Sequence, residues 1–122
     1  MINNNIINND IIEIDNTIEI DNVYSLKVNK SVKISNLIII DIYEFDTIIY
    51  SLKLSPQVFS SILTSCSYLT ESVSFKTVLC DDIILTKESE YILLSINNKI
   101  NLRLSKVNID KLFDIFVKLI SN

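Results

Sequence analysis

The chain has 122 residues, with 11 Lys and Arg against 15 Asp and Glu, a formal charge of -4, and 48% hydrophobic residues. That balance belongs to a folded globular chain rather than a disordered one. There is no Gly, Ala, His or Trp and a single Pro. Lack of Gly excludes the Gly-rich loops that cradle nucleotide phosphates, and lack of His removes the usual near-neutral acid–base group and commonest metal ligand. A non-enzymatic protein with no cofactor and no metal site is expected. Cys66 and Cys80 have no neighbouring ligands and are expected to be free, buried thiols in a reduced compartment. No apolar run reaches the roughly 18 residues of a membrane span, and residues 1–10 lack the basic start of a secretory signal. An intracellular protein without a membrane partner is expected.

Charge is unevenly spread. Residues 1–23 hold Asp10, Glu13, Asp15, Glu19 and Asp21 and no Lys or Arg, whereas residues 24–122 hold 10 acids and all 11 bases. Residues 1–22 read as an acidic, Asn/Ile-rich arm or set of edge strands, and 23–122 as one domain. Within the leader, alternation of Ile with acidic residues from Ile11 to Asp21 has the period of two expected of strands.

Downstream, Tyr24–Val28 and Val32–Ile34 alternate again, Leu37–Ile40 is a continuous apolar run, and Ile48–Leu54 reads as a further strand. Ser55-Pro56 is a helix start: the Ser hydroxyl can accept a free amide, and Pro suits the first turn. Val58, Phe59, Ile62, Leu63, Cys66 and Leu69 follow at helical spacing. Strands are predicted at Ser72–Leu79, Ile83–Thr86, Tyr91–Ile96 and Lys99–Leu104, then a helix from about Asn108 to Ile120. Ser51-Leu52-Lys53-Leu54-Ser55 is echoed by Asn101-Leu102-Arg103-Leu104-Ser105, marking two strand-to-helix units at about 47–70 and 99–121. The fold class is α+β, mostly antiparallel sheet with two amphipathic helices. Asp81-Asp82 reads as a solvated turn rather than a catalytic carboxylate pair, and no Ser has a His to activate it.

From Tyr24-Ser25-Leu26-Lys27-Val28 onward, through Tyr50-Ser51-Leu52-Lys53-Leu54-Ser55-Pro56 to Phe116-Val117-Lys118, the order of elements resembles the sliding clamps of DNA replication, the proliferating-cell-nuclear-antigen family. The resemblance implies a clamp-like processivity factor that holds DNA by its phosphates and works with DNA polymerase or other replication and repair proteins, with a homo-oligomer possible. It further implies Lys106, Lys111 and Lys118 as DNA-binding residues. Leu37, Ile38, Ile39 and Ile40 would line an apolar groove for partner peptides. The chain departs from the family in lacking most of a first domain, in having no Gly, and in having no basic residue on the helix that opens at Pro56.

The stretch Ile38-Ile39-Ile40-Asp41-Ile42-Tyr43-Glu44-Phe45, followed by Leu52-Lys53-Leu54-Ser55-Pro56, resembles a second family, the Whirly-like transcription coactivators that bind single-stranded DNA. Under that resemblance the echo at residue 101 supplies the second half of a pseudo-dimer, and Lys27, Lys30, Lys33, Tyr43 and Phe45 are the strand-binding candidates. A third reading is an interaction module without nucleic-acid affinity.

Overall fold

The structure, a computed structural model, describes residues 16–121 apart from Val32 and Ser35. The first unit is four strands and a helix: β1 (Thr17–Glu19), β2 (Tyr24–Lys30), β3 (Ile38–Glu44), β4 (Thr47–Leu54) and α1 (Pro56–Tyr68). The second repeats that order with β5 (Val73–Lys76), β6 (Asp82–Lys87), β7 (Ile92–Ile96), β8 (Ile100–Leu104) and α2 (Lys106–Ile120). Each set of four strands forms its own antiparallel meander, β1-β2-β3-β4 and β5-β6-β7-β8. This is the expected α+β class. Of the leader, only its last part is described, and it supplies the edge strand β1; residues 1–15 lie outside the described residues.

Alternation fixes which side of each sheet is buried. Leu26 and Val28 on β2, Ile38, Ile40 and Ile42 on β3, and Leu52 and Leu54 on β4 face inward. Ile83 and Leu85, Ile92, Leu94 and Ile96, and Leu102 and Leu104 do the same in the second sheet. A side-chain period of two obliges the intervening residues to face outward.

The helix starts follow from their caps. The Ser55 hydroxyl accepts the Val58 amide at 3.2 Å, with Pro56 in the first turn. Ser105 accepts the Asn108 amide at 3.2 Å while the Asn108 side chain accepts the Ser105 amide at 2.9 Å. This reciprocal cap opens α2 at Lys106, two residues before the expected start. Asn108 also donates to the Glu19 carbonyl at 3.2 Å, tying the start of α2 to β1.

Both helices and both sheets share one hydrophobic core. α1 touches β4, the strand it leaves, and β5, the first strand of the other sheet; α2 likewise touches β8 and reaches back to β1 and β2. The helices also touch each other, Phe59 meeting Phe116 edge to face at 5.2 Å. The start of α1 (Pro56, Gln57) lies beside the end of α2 (Leu119, Ile120), and the end of α1 (Cys66, Ser67) beside the start of α2 (Lys106, Ile109), so the pair runs antiparallel. Each helix thus bridges the two sheets, touching a strand of its own unit and one or two of the other.

Three sequence expectations are corrected. Of the strand expected over Val32–Ile34, Lys33 and Ile34 instead lie in a bend, and Val32 lies outside the described residues. The Ser31 hydroxyl accepts the Lys33 and Ile34 amides, Asn36 takes a positive φ, and Ile34 is exposed. Local side-chain bonds there replace ladder bonds. The strand expected over Ser72–Leu79 ends at Lys76, because the Thr77 hydroxyl accepts the Leu79 and Asp81 amides and turns the chain. Cys66 is buried as expected, but Cys80 is exposed on that turn at φ 64°.

Candidate nucleic-acid interface

The outward face of the first sheet follows from its register. Ser25 pairs with Tyr43, Lys27 with Asp41 and Asn29 with Ile39; Ile39 in turn pairs with Lys53, and Asp41 with Ser51. The face therefore carries Lys27 and Lys53, the Tyr43 ring, apolar Ile39, and a set of hydroxyl and amide groups. The Asp41 carboxylate accepts the Ser51 hydroxyl at 2.5 Å, which holds it within the sheet face. A register shift between Ile42 and Tyr43 leaves both Ile48 and Ile49 exposed beside the β3–β4 turn, whose tip is the exposed Phe45 at φ 54°.

One end of this sheet is basic. Residues 24–40 contain Lys27, Lys30 and Lys33 and no acid. Lys30 and Lys33 stand at the β2–β3 connection, next to the row in which Ile39 pairs Lys53. The corresponding stretch of the second unit, 82–94, contains Lys87 against Asp82, Glu88 and Glu90. The outward face of the second sheet has Arg103, which stacks over the Tyr91 ring at 5.1 Å, and Lys76, which pairs with Asp82 at 3.5 Å. The two units share a fold but differ in charge.

The residues expected from the clamp resemblance are arranged differently. Lys106 begins α2 and is ion-paired to Asp110 at 3.5 Å, both groups exposed. Lys111 and Lys118 fall on another side of the helix, roughly 140° and 120° around from Lys106 at 100° per residue, with exposed Asp114 on the same surface. The three lysines do not make one stripe. α1 presents Gln57, Ser61, Thr64 and Ser67 without charge. The two helices together carry three lysines, Lys111 half-buried, against two exposed aspartates.

The run Leu37, Ile38, Ile39, Ile40 does not form one groove wall. Ile38 and Ile40 enter the core, Ile39 faces the opposite side, and Leu37 is buried at the strand entrance. Leu37 and Ile38 do edge a cleft of about 220 Å³ with Lys30, Pro56, Leu119 and Ile120. A related cleft of about 320 Å³ occupies the equivalent place in the second unit, edged by Cys66, Glu88, Glu90, Tyr91, Ile92 and Ile109.

One cluster escaped the sequence reading. The Tyr50 hydroxyl on β4 donates to Asp81 Oδ1 at 2.6 Å, and Asn97 Nδ2 donates to the Tyr50 oxygen at 2.8 Å and to Asp81 Oδ1 at 2.9 Å. The node links the first sheet to two turns of the second. Its donors hold the Asp81 carboxyl below its ordinary range. Partial burial and the adjacent carboxylate push the Tyr50 phenol up to about 12. Asp81 is thus a half-buried acceptor rather than part of a solvated turn, while exposed Asp82 next to it pairs with Lys76 at 3.5 Å.

Among the described residues, no group of three or more His, Cys, Asp or Glu is placed to hold a metal ion. No helix among them is long and apolar enough to cross a membrane. No family model, no curated protein and no solved structure matches this chain.

Proposed function

We propose that this protein is a non-enzymatic nucleic-acid-binding protein that carries a single strand across the outward face of its first sheet. The observation that supports this reading is the composition of that face. Lys27 and Lys53 stand on that face with the Tyr43 ring and Ile39, around an Asp41 carboxylate engaged by Ser51, and exposed Lys33 lies in the connection beyond; Lys30 belongs to the inward row. Lysines neutralise phosphates while an aromatic ring offers a stacking platform to any base, so such a face binds without reading sequence. The overall acidity does not oppose this, since binding follows local patches rather than net charge.

The test is fluorescence anisotropy of a labelled oligothymidine over a salt series. Lys27→Gln and Lys53→Gln should each weaken binding and reduce the salt slope by about 0.7, the single-strand increment per phosphate. Tyr43→Ala should cost about 1–3 kcal/mol of affinity through lost stacking. Lys118→Gln should change nothing. Absence of binding at low salt, or equal losses from Lys118→Gln, refutes the reading.

A second reading, the clamp-like replication accessory, draws on one observation: the antiparallel helix pair packed side by side through Phe59 and Phe116. It is favoured instead if duplex DNA competes better than single strands, if Lys111→Gln and Lys118→Gln dominate the loss, and if sedimentation shows a closed oligomer.

A further inference from the structure

Lysines that meet phosphates and a ring that stacks on any base treat all sequences alike. One group on the same face does not fit that account. Asp41 stands half-buried in the middle of the outward row of β3, across from Lys27 on β2 and Ser51 on β4. Its Oδ1 accepts the Ser51 hydroxyl at 2.5 Å, and among the described residues no cation lies within ion-pairing distance of it. A carboxylate in that place repels phosphates and weakens binding unless it meets the edge of a base.

The sheet itself does not require the charge. The echo of Lys53-Leu54-Ser55 in Arg103-Leu104-Ser105 sets Ser51 against Asn101, and the strand registers then set Asp41 against Ser95. In the second sheet that pair is neutral, the Ser95 hydroxyl donating to Asn101 Oδ1 at 2.7 Å. Two residues further on, where β3 has Tyr43, the second unit has Asn97, a turn residue held in the node with Tyr50 and Asp81. The carboxylate and the ring therefore occur together on one face and are both missing from its counterpart.

An ionised carboxylate only accepts hydrogen bonds, at about four lone-pair sites, of which Ser51 takes one. Guanine alone among the bases presents two adjacent donors on its pairing edge, N1–H and the 2-amino group. Adenine and cytosine set their amino donor beside a ring-nitrogen acceptor, and thymine and uracil hold a single N–H between two carbonyls. Tyr43 lies about 7 Å from Asp41 along β3 on the same face. Side chains on a strand stand roughly perpendicular to the sheet, so a base stacked on the ring at about 3.5 Å fills the gap and turns one edge toward the carboxylate.

We infer that Asp41 selects guanine at the nucleotide stacked on Tyr43, accepting its N1–H and 2-amino group while Ser51 positions the carboxylate. The inference rests on the proposed single-strand reading and adds to it a base preference at one position.

The test is fluorescence anisotropy at low salt with labelled thymidine hexamers in which one central base is guanine, hypoxanthine, adenine, cytosine or thymine. The guanine hexamer should bind about tenfold tighter than the all-thymine one, the scale of one bidentate contact. Adenine stacks as a purine without the two donors and should stay near thymine. Hypoxanthine, which lacks the 2-amino group, should lie between adenine and guanine. Asp41→Asn should bring guanine down to the level of adenine, while the all-thymine hexamer binds as well or better because a repelling charge has left the face. Ser51→Ala should reduce the guanine-to-thymine ratio without changing the all-thymine affinity. The neutral pair of the second sheet implies that Asp41→Asn melts with the parent chain, and a large drop in Tm would make Asp41 a structural residue and overturn the proposal. Equal binding of the guanine and adenine hexamers, or a guanine preference that survives Asp41→Asn, also overturns it and leaves the single-strand reading standing. Failure of every hexamer to bind refutes both.

Discussion

Replacing Tyr50 by Phe tests whether the Tyr50–Asp81–Asn97 node fastens the two sheets together. The substitution deletes one hydroxyl and with it two hydrogen bonds, the 2.6 Å bond donated to Asp81 and the 2.8 Å bond accepted from Asn97. Asp81 keeps Asn97 as a donor at 2.9 Å. A hydrogen bond to a charged acceptor contributes about 1.5–3 kcal/mol, and a half-exposed node admits water, so the lower end applies: about 1.5 kcal/mol. For a chain of this size that lowers Tm by about 5 °C. Chemical denaturation of Tyr50→Phe, Asp81→Ala and the double variant gives the coupling directly, with about 1 kcal/mol expected between directly bonded groups.

The pH dependence has two limbs. The folded-state pKa of Asp81 is depressed, so its contribution is present above the unfolded carboxylate value and is lost as pH falls through the folded value. The Tyr50 pKa is raised from 10.0 to about 12, so its contribution is present below pH 10 and is lost as pH rises through that window. Tyr50→Phe should abolish the alkaline limb and weaken the acid one. A coupling of zero within error, with both limbs unchanged, would refute the assignment of the node as a sheet fastener.

Phe59 is 1% exposed and sits edge to face with Phe116 at the crossing of the helices. Phe59→Ala should therefore cost about 3–5 kcal/mol in a urea titration, with Phe59→Leu costing far less. The two thiols should separate in a native alkylation experiment followed by mass spectrometry. Burial pushes the Cys66 thiol up to about 11, whereas Cys80 is exposed, so Cys80 should react first and Cys66 only on unfolding.

The elements were legible in the sequence wherever the local signal and the tertiary context agree. Ser55-Pro56 announces α1 because a cap and a first-turn proline act within four residues of each other. The inward rows of β2 and β8, and of β4 from Ser51 on, appear as alternation because one face of each is buried. The run Leu37–Ile40 hides the same alternation, since Ile39 is apolar yet faces outward. The division into two sheets was not legible, as strand pairing depends on partners far along the chain. Nor was the start of α2, where Asn108 takes the part usually played by Glu or Gln in a reciprocal cap. Of the strand-binding candidates Lys27, Lys30, Lys33, Tyr43 and Phe45, register puts Lys27 and Tyr43 on the outward face and Lys30 on the inward row, and it adds Lys53, which the sequence could not name. Only cross-strand register brings Lys53 beside Ile39. Tyr50, Asp81 and Asn97 belong to separate turns and strands and are joined by tertiary structure alone.

With each helix bridging both sheets over one shared core, a single polypeptide takes the arrangement of two copies packed together. In an assembly of identical chains, every substitution is made twice and every surface is duplicated. Here each substitution acts once, so the scaffold can preserve its shared interior while its two ends drift apart, one gathering lysines and the other glutamates. Cutting the chain between Tyr68 and Val73 should accordingly yield fragments that need each other to fold: such a molecule gains the freedom to specialise and gives up the independence of its parts.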